Sequence, residues 1–308
     1  MKDKKIFITG GAGFLGKNLI KKYYNNNEIT VYSRDESKHY FLKKEYPKIK
    51  TVIGDIRNYD LLKRASTKHD IGIFAASLKQ IESVDQNVEE AVKIIIEGAL
   101  NSRRVAEENK MESACFISSD KSRGATTLYG AMKFVAGESF IVNSECSETR
   151  LSCAIYGNVA NSTGSIIPLI WDAIKKDYEL TLYSENMTRF ILTIDEAIEL
   201  VEFSLTQKSY NIIPKIKSFY IKDLFEIYQK KFGLRYKIGE PRISEKIHEI
   251  MIAEEEVSRT KEIDNYLLMH YHKVFNELNF KEYSSKDHCL SKEELNTFLL
   301  NKNYFNNI

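Results

Sequence analysis

The chain has 308 residues, of which 43% are hydrophobic and 29% charged, a size and composition that allow one large domain with a full core plus a smaller one. Lys and Arg number 45 against 43 Asp and Glu, a net charge of +2, and the lack of a basic block argues against a nucleic acid partner. Four widely spaced cysteines without a CxxC pair argue against a disulfide or zinc framework and favour a reducing compartment.

The N-terminal segment contains the first predicted strand, turn and helix, and it also bears on localisation. Its apolar stretch is too short for a signal peptide and no later segment reaches membrane-spanning length, so we expect a cytoplasmic protein without a membrane span.

A strand at 5–9 leads into Gly10-x-x-Gly13-x-x-Gly16 and a helix at 17–24. Glycines in this context permit a tight turn and let backbone amides approach a pyrophosphate. The motif predicts a dinucleotide-binding site, although similar glycines also occur in ordinary turns.

Short apolar strands then alternate with helices. We predict further strands at 29–32, 51–53, 71–75, 114–118 and 150–156. This alternation is typical of a parallel sheet covered on both faces, and it predicts a Rossmann-type doubly wound α/β fold. The helix around 88–99 carries apolar residues at three- and four-residue spacing, which indicates a face buried in the core.

The end of the second strand bears on the choice of cofactor. An NAD-selective site places a carboxylate there to bind the ribose hydroxyls, whereas this chain has Ser33 and Arg34, followed by Asp35. A hydroxyl and a cation suit a 2′-phosphate, so NADP is favoured, with Asp35 as the residue that argues for NAD. Asp55, after the third strand, is either a contact for the adenine amino group or a solvated turn aspartate.

Candidate catalytic residues follow the strand at 114–118. Tyr129 and Lys133 are four apart on a predicted helix and share a face, so the ammonium can lower the pKa of the phenol and hold a ribose. This suits Tyr129 as the base for hydride transfer; the alternative is a surface pair. Ser119 either orients the substrate oxygen or caps a helix. Asp120 and Lys121 are either a second acid/base pair, suited to an elimination, or a local ion pair.

After residue 160 the alternation loosens. We predict a helix at 166–176, strands at 188–192 and 210–213, a helix at 221–232 and a mainly helical, polar C-terminal stretch. We expect residues 1–160, with 187–216 returning to them, to form the dinucleotide-binding domain. Residues 161–186 and 217–308 are expected to form a smaller mixed α/β substrate lobe.

Two motifs connect the chain to a known family. The glycine loop with Tyr129-x-x-x-Lys133 resembles the extended short-chain dehydrogenase/reductases. The segments 118–121 and 128–133 resemble the soluble, 5-inverting UDP-N-acetylglucosamine 4,6-dehydratases. Five more segments match in the same order, at 32–36, 75–79, 156–159, 187–190 and 245–249.

The resemblance implies a mechanism. Tyr129 would take the proton of the sugar 4-hydroxyl as hydride passes to NADP, and the 4-keto group would make the hydrogen on carbon 5 acidic. Lys121 would be the base at carbon 5, while Asp120 protonates the departing 6-hydroxyl. The hydride would return to carbon 6, and a lysine at this position implies inversion at carbon 5. Such a lysine must be neutral part of the time, which requires burial or a nearby cation.

The resemblance also implies ligand contacts and assembly. Arg189 and Arg242 would pair with the diphosphate of a UDP-N-acetylhexosamine. The expected substrate contacts are Lys79, Asn158, Val159, Arg189, Arg242 and Glu245. The expected cofactor contacts are Gly10, Gly13, Phe14, Leu15, Gly16, Ser33, Arg34, Asp35, Lys38, Asp55, Ile56, Ala75, Lys79, Ser118, Tyr129 and Lys133. Relatives of this kind imply a homo-oligomer built through helices of the sheet domain.

Some positions depart from the family pattern. Ile95 replaces an Asn linked to proton relay, and Ile155 and Thr163 replace arginines. Two other functions therefore remain open: a nucleotide-sugar epimerase or ketoreductase that uses only Tyr129 and Lys133, and an NADP-binding protein without catalysis. His270 and His272 form an HxH without companion ligands, so we assign them to the surface or to packing and not to a metal site.

Overall fold

The structure is a computed structural model that describes residues 1–240 and 244–306. Its strands are β1 (Lys5–Thr9), β2 (Glu28–Ser33), β3 (Lys50–Ile53), β4 (Ile71–Phe74), β5 (Ser113–Ile117), β6 (Arg150–Ala154), β7 (Asn158–Val159), β8 (Leu180–Leu182), β9 (Thr188–Leu192), β10 (Tyr210–Pro214), β11 (Ser218–Tyr220), β12 (Tyr236–Ile238), β13 (Ile250–Ile252), β14 (Thr260–Ile263), β15 (Tyr266–His270) and β16 (Tyr283–Ser284).

Its α-helices are α1 (Phe14–Tyr23), α2 (Glu36–Glu45), α3 (Tyr59–Ala65), α4 (Ile81–Gln86), α5 (Val88–Val92), α6 (Gly98–Glu108), α7 (Leu128–Ile141), α8 (Ile166–Lys176), α9 (Ile194–Ser204), α10 (Ile221–Phe232), α11 (Glu254–Val257) and α12 (Lys292–Asn301). A π-helical segment, Lys93–Glu97, joins α5 to α6, and 3₁₀ turns lie at Asp120–Ser122 and Ser285–Asp287. No helix of the described stretches has the length and apolar character needed to span a membrane.

A nine-stranded sheet with the order β14-β15-β10-β6-β5-β4-β1-β2-β3 forms the centre of the molecule. The seven strands from β10 to β3 run parallel. Apolar side chains lie on both faces of the sheet. One face packs against α1 and α9 through residues such as Leu19 and Val201, and the other against α6 and α7. Parallel strands with helices on both faces confirm the predicted doubly wound α/β fold. Central strands that are buried on both sides require apolar residues throughout, which explains the short apolar segments in the sequence.

The C-terminal stretch differs from the expected helical one. β14 and β15 form an antiparallel pair that extends the main sheet beside β10. Leu267 and Met269 pack on one face of the sheet and Leu268 on the other. Residues 260–270 thus belong to the sheet, although we expected all of 217–308 in the substrate lobe. The lobe boundaries themselves stay predictions.

A second hydrophobic core lies beside the sheet. It brings together α8, α10 and α12 through apolar residues that include Trp171, Tyr228 and Leu295. Short strand pairs, β8 with β12 and β13 with β16, lie in the same part of the chain. β13 contacts the 3₁₀ turn Asp120–Ser122 that follows β5.

Candidate active site

Close backbone contacts shape the glycine turn after β1. Gly10 has a φ of +69°, and its N–H donates to the carbonyl of Tyr32 over 2.9 Å. A Cβ on Gly16 would lie 2.3 Å from the Cα of Gly11, so only glycine lets the first turn of α1 pack on the loop. Gly13 is the N-cap residue and brings no side chain to the first amides of α1. These amides fit the pyrophosphate of a dinucleotide.

Other predicted cofactor contacts lie around this turn. Phe14 and Leu15 are half-buried at the start of α1. The backbone of Ala75, at the end of β4, lies 3.1 Å from the position of a Cβ on Gly10. Ile56 is buried and packs near Gly98 of α6. The structure thus brings the ends of β1 and β4 together.

The polar residues at the end of β2 are engaged with α2. Asp35 caps this helix, because its Oδ1 accepts the backbone N–H of Lys38 over 2.9 Å. The Lys38 ammonium lies 2.8 Å from Oδ2, and these hydrogen bonds lower the pKa of Asp35. Ser33 Oγ lies 2.5 Å from Nε2 of His39. The side chain of Arg34, by contrast, is 61% exposed. Its Nη1 lies 4.0 Å from Oδ2 of Asp55, which is a long distance for an ion pair.

Asp55 binds within its own turn. Its Oδ1 accepts the backbone N–H and the Nε–H of Arg57, each over 2.9 Å. Hydrogen bonding by Arg57 lowers the pKa of Asp55. This geometry matches a turn aspartate, and the contact with an adenine amino group stays a prediction.

The turn after β5 places the candidate acid and base. Ser119 caps the 3₁₀ turn by accepting the N–H of Lys121, and its Oγ donates to Oδ1 of Asp120 over 2.9 Å. Lys121 Nζ lies 3.2 Å from Asp120 Oδ1. Ser118 is buried and its Oγ donates to the carbonyl of Lys133 over 3.4 Å. The sequence triplet therefore folds into one hydrogen-bonded cluster.

Asp120 has the environment of a neutral acid. The residue is 1% exposed, and burial raises the pKa of its carboxyl group. Among the described residues, its Oδ2 has no hydrogen-bond partner. A Cβ on Gly157 would lie 3.2 Å from this oxygen and 2.7 Å from Cβ of Phe190, so the glycine lets the backbone pack closely against the carboxyl group.

The first turn of α7 brings Tyr129 to the same cluster. Thr127 caps the helix by accepting the N–H of Gly130 over 3.1 Å. A Cβ on Gly130 would lie 2.2 Å from the carbonyl oxygen of Lys121, so α7 touches the backbone of the 3₁₀ turn. Burial raises the pKa of Tyr129 to about 12, against the lowering effects of the Lys121 charge and of Ser119.

Lys133 lies below Tyr129 in the interior. Its Nζ donates to the carbonyl of Ile117 over 3.1 Å and lies 5.3 Å from the centre of the Phe116 ring. Burial lowers the pKa of Lys133 to about 8. The cation that lowers the pKa of Tyr129 here is Lys121, whereas the sequence pointed to Lys133.

The expected substrate residues line a neighbouring cavity only in part. A cavity of about 430 Å³ is lined by Asn158, Arg189 and Glu245, together with apolar residues of α8 and α10. Arg189 is 7% exposed, and its Nη2 donates to Oε1 of Glu245 over 3.2 Å. Val159 is buried and does not line the cavity. Arg242 lies outside the described residues.

Lys79 crosses from the sheet domain to the loop before α8. Its Nζ donates to the backbone carbonyl of Thr163 over 2.6 Å. Burial lowers the pKa of Lys79, and the charge of Lys121 lowers it further. Lys79 thus lies near the cluster of Ser119, Asp120 and Lys121, and the backbone carbonyl of Thr163 accepts its hydrogen bond.

Two departures from the family pattern belong to the core. Ile95 and Ile155 are 1% and 0% exposed and pack in the same apolar cluster. Neither residue lines the cavity described above. Ile95 lies in the π-helical segment between α5 and α6.

Sequence reasoning missed two sets of buried charges. Glu249 Oε1 lies 3.2 Å from Lys121 Nζ. Its only sequence signal was its place at the end of the matching segment 245–249. Arg123, 1% exposed, pairs with Glu138 of α7 and Glu256 of α11, each over 2.8 Å. No local pattern predicts this triad, because its members are far apart along the chain.

His270 has a packing role. It is buried, its Nδ1 accepts the backbone N–H of His272 over 3.1 Å, and its Nε2 lies 3.0 Å from Oε1 of Glu145. Within residues 1–240 and 244–306, no three His, Cys, Asp or Glu side chains are grouped as they would be to hold a metal ion.

Comparison with known proteins yields relatives over most of the chain. The family model described as "Polysaccharide biosynthesis protein" matches residues 6–271. The inverting UDP-N-acetylglucosamine 4,6-dehydratase of Campylobacter jejuni is 33% identical over 85% of this chain and 81% of its own. A UDP-glucose 4-epimerase of Rickettsia bellii is 30% identical over 98% and 97%. The X-ray structure of Pen from Bacillus thuringiensis has a TM-score of 0.89 at 28% identity, covering 98% and 99% of the two chains.

Proposed function

The chain belongs to the polysaccharide biosynthesis family of extended short-chain dehydrogenase/reductases, and we propose that it removes water from UDP-N-acetylglucosamine with NADP as cofactor. The product is a UDP-4-keto-6-deoxy-N-acetylhexosamine, inverted at carbon 5, for a surface polysaccharide or another glycoconjugate. The similarity to the inverting dehydratase of Campylobacter jejuni supports this proposal.

The pair of Asp120 and Lys121 beside Tyr129 carries the proposal. An epimerase or ketoreductase requires only a proton acceptor for the sugar hydroxyl, the role of Tyr129. An elimination needs two further groups, a base at carbon 5 and an acid at the departing hydroxyl. Lys121 and the buried Asp120, 3.2 Å apart, have the chemistry for these two roles.

The residues divide the proton transfers among them. The bound dinucleotide supplies the acceptor and later the donor of a hydride. Tyr129 takes the proton of the 4-hydroxyl, Lys121 takes the proton of carbon 5, and Asp120 donates its proton to the 6-hydroxyl, which leaves as water. The hydride is returned to carbon 6, and a proton that exchanges with solvent adds to the opposite face of carbon 5, which completes the reaction with inversion. Burial of Asp120 favours the protonated acid that this step needs.

The end of β2 supports NADP over NAD. The Asp35 carboxylate caps α2 and pairs with Lys38. An NAD-selective site needs a carboxylate here that is free to bind the ribose hydroxyls. Arg34 is exposed and 4.0 Å from its nearest carboxylate partner, Asp55. A guanidinium in this place suits a 2′-phosphate.

A 4-epimerase is the second candidate. The UDP-glucose 4-epimerase of Rickettsia bellii matches 98% of the chain. An epimerase of this fold needs Tyr129 but neither Asp120 nor Lys121 as acid and base. The two functions therefore differ in what the loss of Lys121 does.

The decisive experiment follows the product by NMR. The protein is incubated with NADP and UDP-N-acetylglucosamine in deuterated water. We expect loss of the 6-hydroxyl, a 4-keto product and one deuterium at carbon 5 in the inverted configuration. Lys121→Ala should lower turnover by about a thousandfold, since general acid–base groups contribute about 10² to 10⁴.

The matched control is Lys21→Ala, which removes an exposed lysine from the last turn of α1. It should retain the wild-type rate of dehydration. Interconversion of UDP-sugars at carbon 4 without loss of water, at similar rates in wild type and Lys121→Ala, would establish the epimerase instead.

We also propose that the protein acts as a homo-oligomer. Leu100 of α6 and Leu128 and Val135 of α7 are large apolar residues exposed on two helices that pack side by side. Leu128 and Val135 are seven residues apart and share one face of α7. A second copy of the chain can cover this face around a twofold axis.

A further inference from the structure

Lys121 lies between two carboxylates that come from distant parts of the chain. Its Nζ is 3.2 Å from Oδ1 of Asp120 and 3.2 Å from Oε1 of Glu249. Asp120 belongs to the same 3₁₀ turn, whereas Glu249 directly precedes β13. β13 packs against this turn. The amine therefore bridges the two.

Glu249 is held firmly in place. Its side chain is 4% exposed. Its backbone N–H donates to Ser285 Oγ, and its carbonyl accepts the N–H of Ser285, each over 2.9 Å. Arg189 Nε and Lys246 Nζ lie 3.6 Å and 3.9 Å from its carboxylate oxygens. A carboxylate fixed from several sides can orient the amine that it contacts.

We propose that Glu249 is the positioning residue of Lys121: its carboxylate holds the amine beside Asp120 and Tyr129 and sets how tightly the amine keeps its proton. The proposal rests on the proposed dehydration, in which Lys121 takes and keeps the proton of carbon 5. Because the Glu249 carboxylate stabilises the ammonium that forms in this transfer, it makes Lys121 a stronger base.

The charges around Lys121 give Glu249 this role. Burial lowers the pKa of Lys121, but Asp120 and Glu249 more than offset it, so the pKa is raised overall. The sequence led us to expect the opposite direction, because it does not show that two carboxylates meet at this amine. The other charged or titratable groups that act on this cluster are Tyr129, Arg189, Lys79 and Lys246. Burial raises the pKa of Asp120, whereas the cations around Glu249 overcome its burial and lower its pKa. Glu249 is thus the carboxylate that keeps its negative charge.

The charge of Glu249 stabilises the protonated form of Lys121. Removal of a negative charge 3.2 Å away disfavours the ammonium and lowers the pKa of Lys121. In Glu249→Gln, Lys121 should become neutral at lower pH. A shift of about one unit makes the neutral amine about tenfold more abundant at any pH well below the midpoint.

The first measurement does not require catalysis. Acetylation of Lys121 by acetic anhydride is followed against pH by peptide mass spectrometry, in the complete protein with NADP present. We expect the midpoint to move down by about one unit or more in Glu249→Gln. Glu254→Gln, which removes an exposed carboxylate of α11, is the matched control and should leave the midpoint unchanged.

The second measurement uses the reaction. The acidic limb of the pH profile for dehydration reports the loss of a proton from Lys121. It should move to lower pH in Glu249→Gln, with a lower maximal rate because the amine is a weaker base. Glu249→Asp keeps the charge and should restore the wild-type limb in part; a purely structural role of Glu249 would not predict this.

The outcomes separate the two proposals. A wild type that forms no 4-keto sugar, with a shifted acetylation midpoint in Glu249→Gln, overturns the function but supports the influence of Glu249 on Lys121. A wild type that dehydrates, with both pH midpoints unmoved in the variant, overturns the role of Glu249. Should Glu249→Gln fail to fold, Glu249→Asp gives the same test, with a smaller shift in the same direction expected.

Discussion

Two buried carboxyl groups in one site have opposite tendencies. Asp120 has few nearby donors and a raised pKa, whereas Glu249 lies among Lys121, Arg189 and Lys246 and has a lowered one. The same functional group can thus serve as a proton donor at one position and as a fixed negative charge at the other. Single residues have their roles because of the charges around them, which the residue type alone does not reveal.

We expect one exposed residue, Arg34, to decide the proposed preference for NADP. Arg34→Leu should weaken binding of NADP by about 10- to 100-fold, the loss of one or two charge-assisted hydrogen bonds, and leave binding of NAD almost unchanged. Dissociation constants of both cofactors, measured by titration calorimetry, check this. Lys43→Leu removes an exposed cation of α2 that is remote from the cap and should change neither. Tighter binding of NAD than of NADP by the wild type would contradict the prediction.

At the scale of elements, the site consists of a 3₁₀ turn and the first turn of a helix in backbone contact. The Ser119 cap shapes the turn, the Thr127 cap starts α7, and Gly130 lets the two approach. Lys121 and Tyr129 are therefore placed by backbone contacts of their own elements. A change in that contact should alter the positions of both side chains.

Gly130→Ala tests this contact. Alanine in a helix is normally favoured over glycine by up to about 1 kcal/mol. Here its Cβ would meet the Lys121 carbonyl oxygen at 2.2 Å, so we expect a loss of about 1–3 kcal/mol in the free energy of unfolding. Turnover should fall as well. Denaturant unfolding and steady-state rates measure the two effects.

The neighbouring substitution Ala131→Gly serves as its control. Ala131 is exposed on α7, so the change should cost only about 1 kcal/mol of helix propensity and leave turnover nearly intact. A Gly130→Ala variant as stable and active as the wild type would show that the close contact does not shape the site.

At the scale of the molecule, buried ion pairs connect the C-terminal segment to the sheet domain. Arg123, just after the 3₁₀ turn, pairs with Glu138 and Glu256, and Asn211 of β10 donates to Glu138 over 3.0 Å. Removal of one partner would leave a buried charge uncompensated, which typically costs about 3–5 kcal/mol. The segment that carries Glu249 is thereby attached next to the 3₁₀ turn that carries Lys121.

Assembly is the prediction at this scale. Val135→Arg places a charge in the apolar face of α6 and α7, and we expect it to convert a dimer or larger assembly into monomers. Size-exclusion chromatography with light scattering measures the mass of each species. Leu300→Arg changes an exposed leucine of α12 and should leave the mass unchanged. A wild-type protein that is monomeric at micromolar concentration would disprove the proposed oligomer.

Local patterns were enough to predict β1, the glycine turn, α1 and the residues Ser119, Asp120, Lys121, Tyr129 and Lys133 as one candidate site. These predictions depend on period, spacing and turn chemistry within short segments, which neighbouring residues impose directly. The partnership of Lys121 with Glu249, the Arg123 triad and the addition of β14 and β15 to the sheet emerged only from the folded chain. They join residues up to 133 positions apart, and such contacts depend on how whole elements pack.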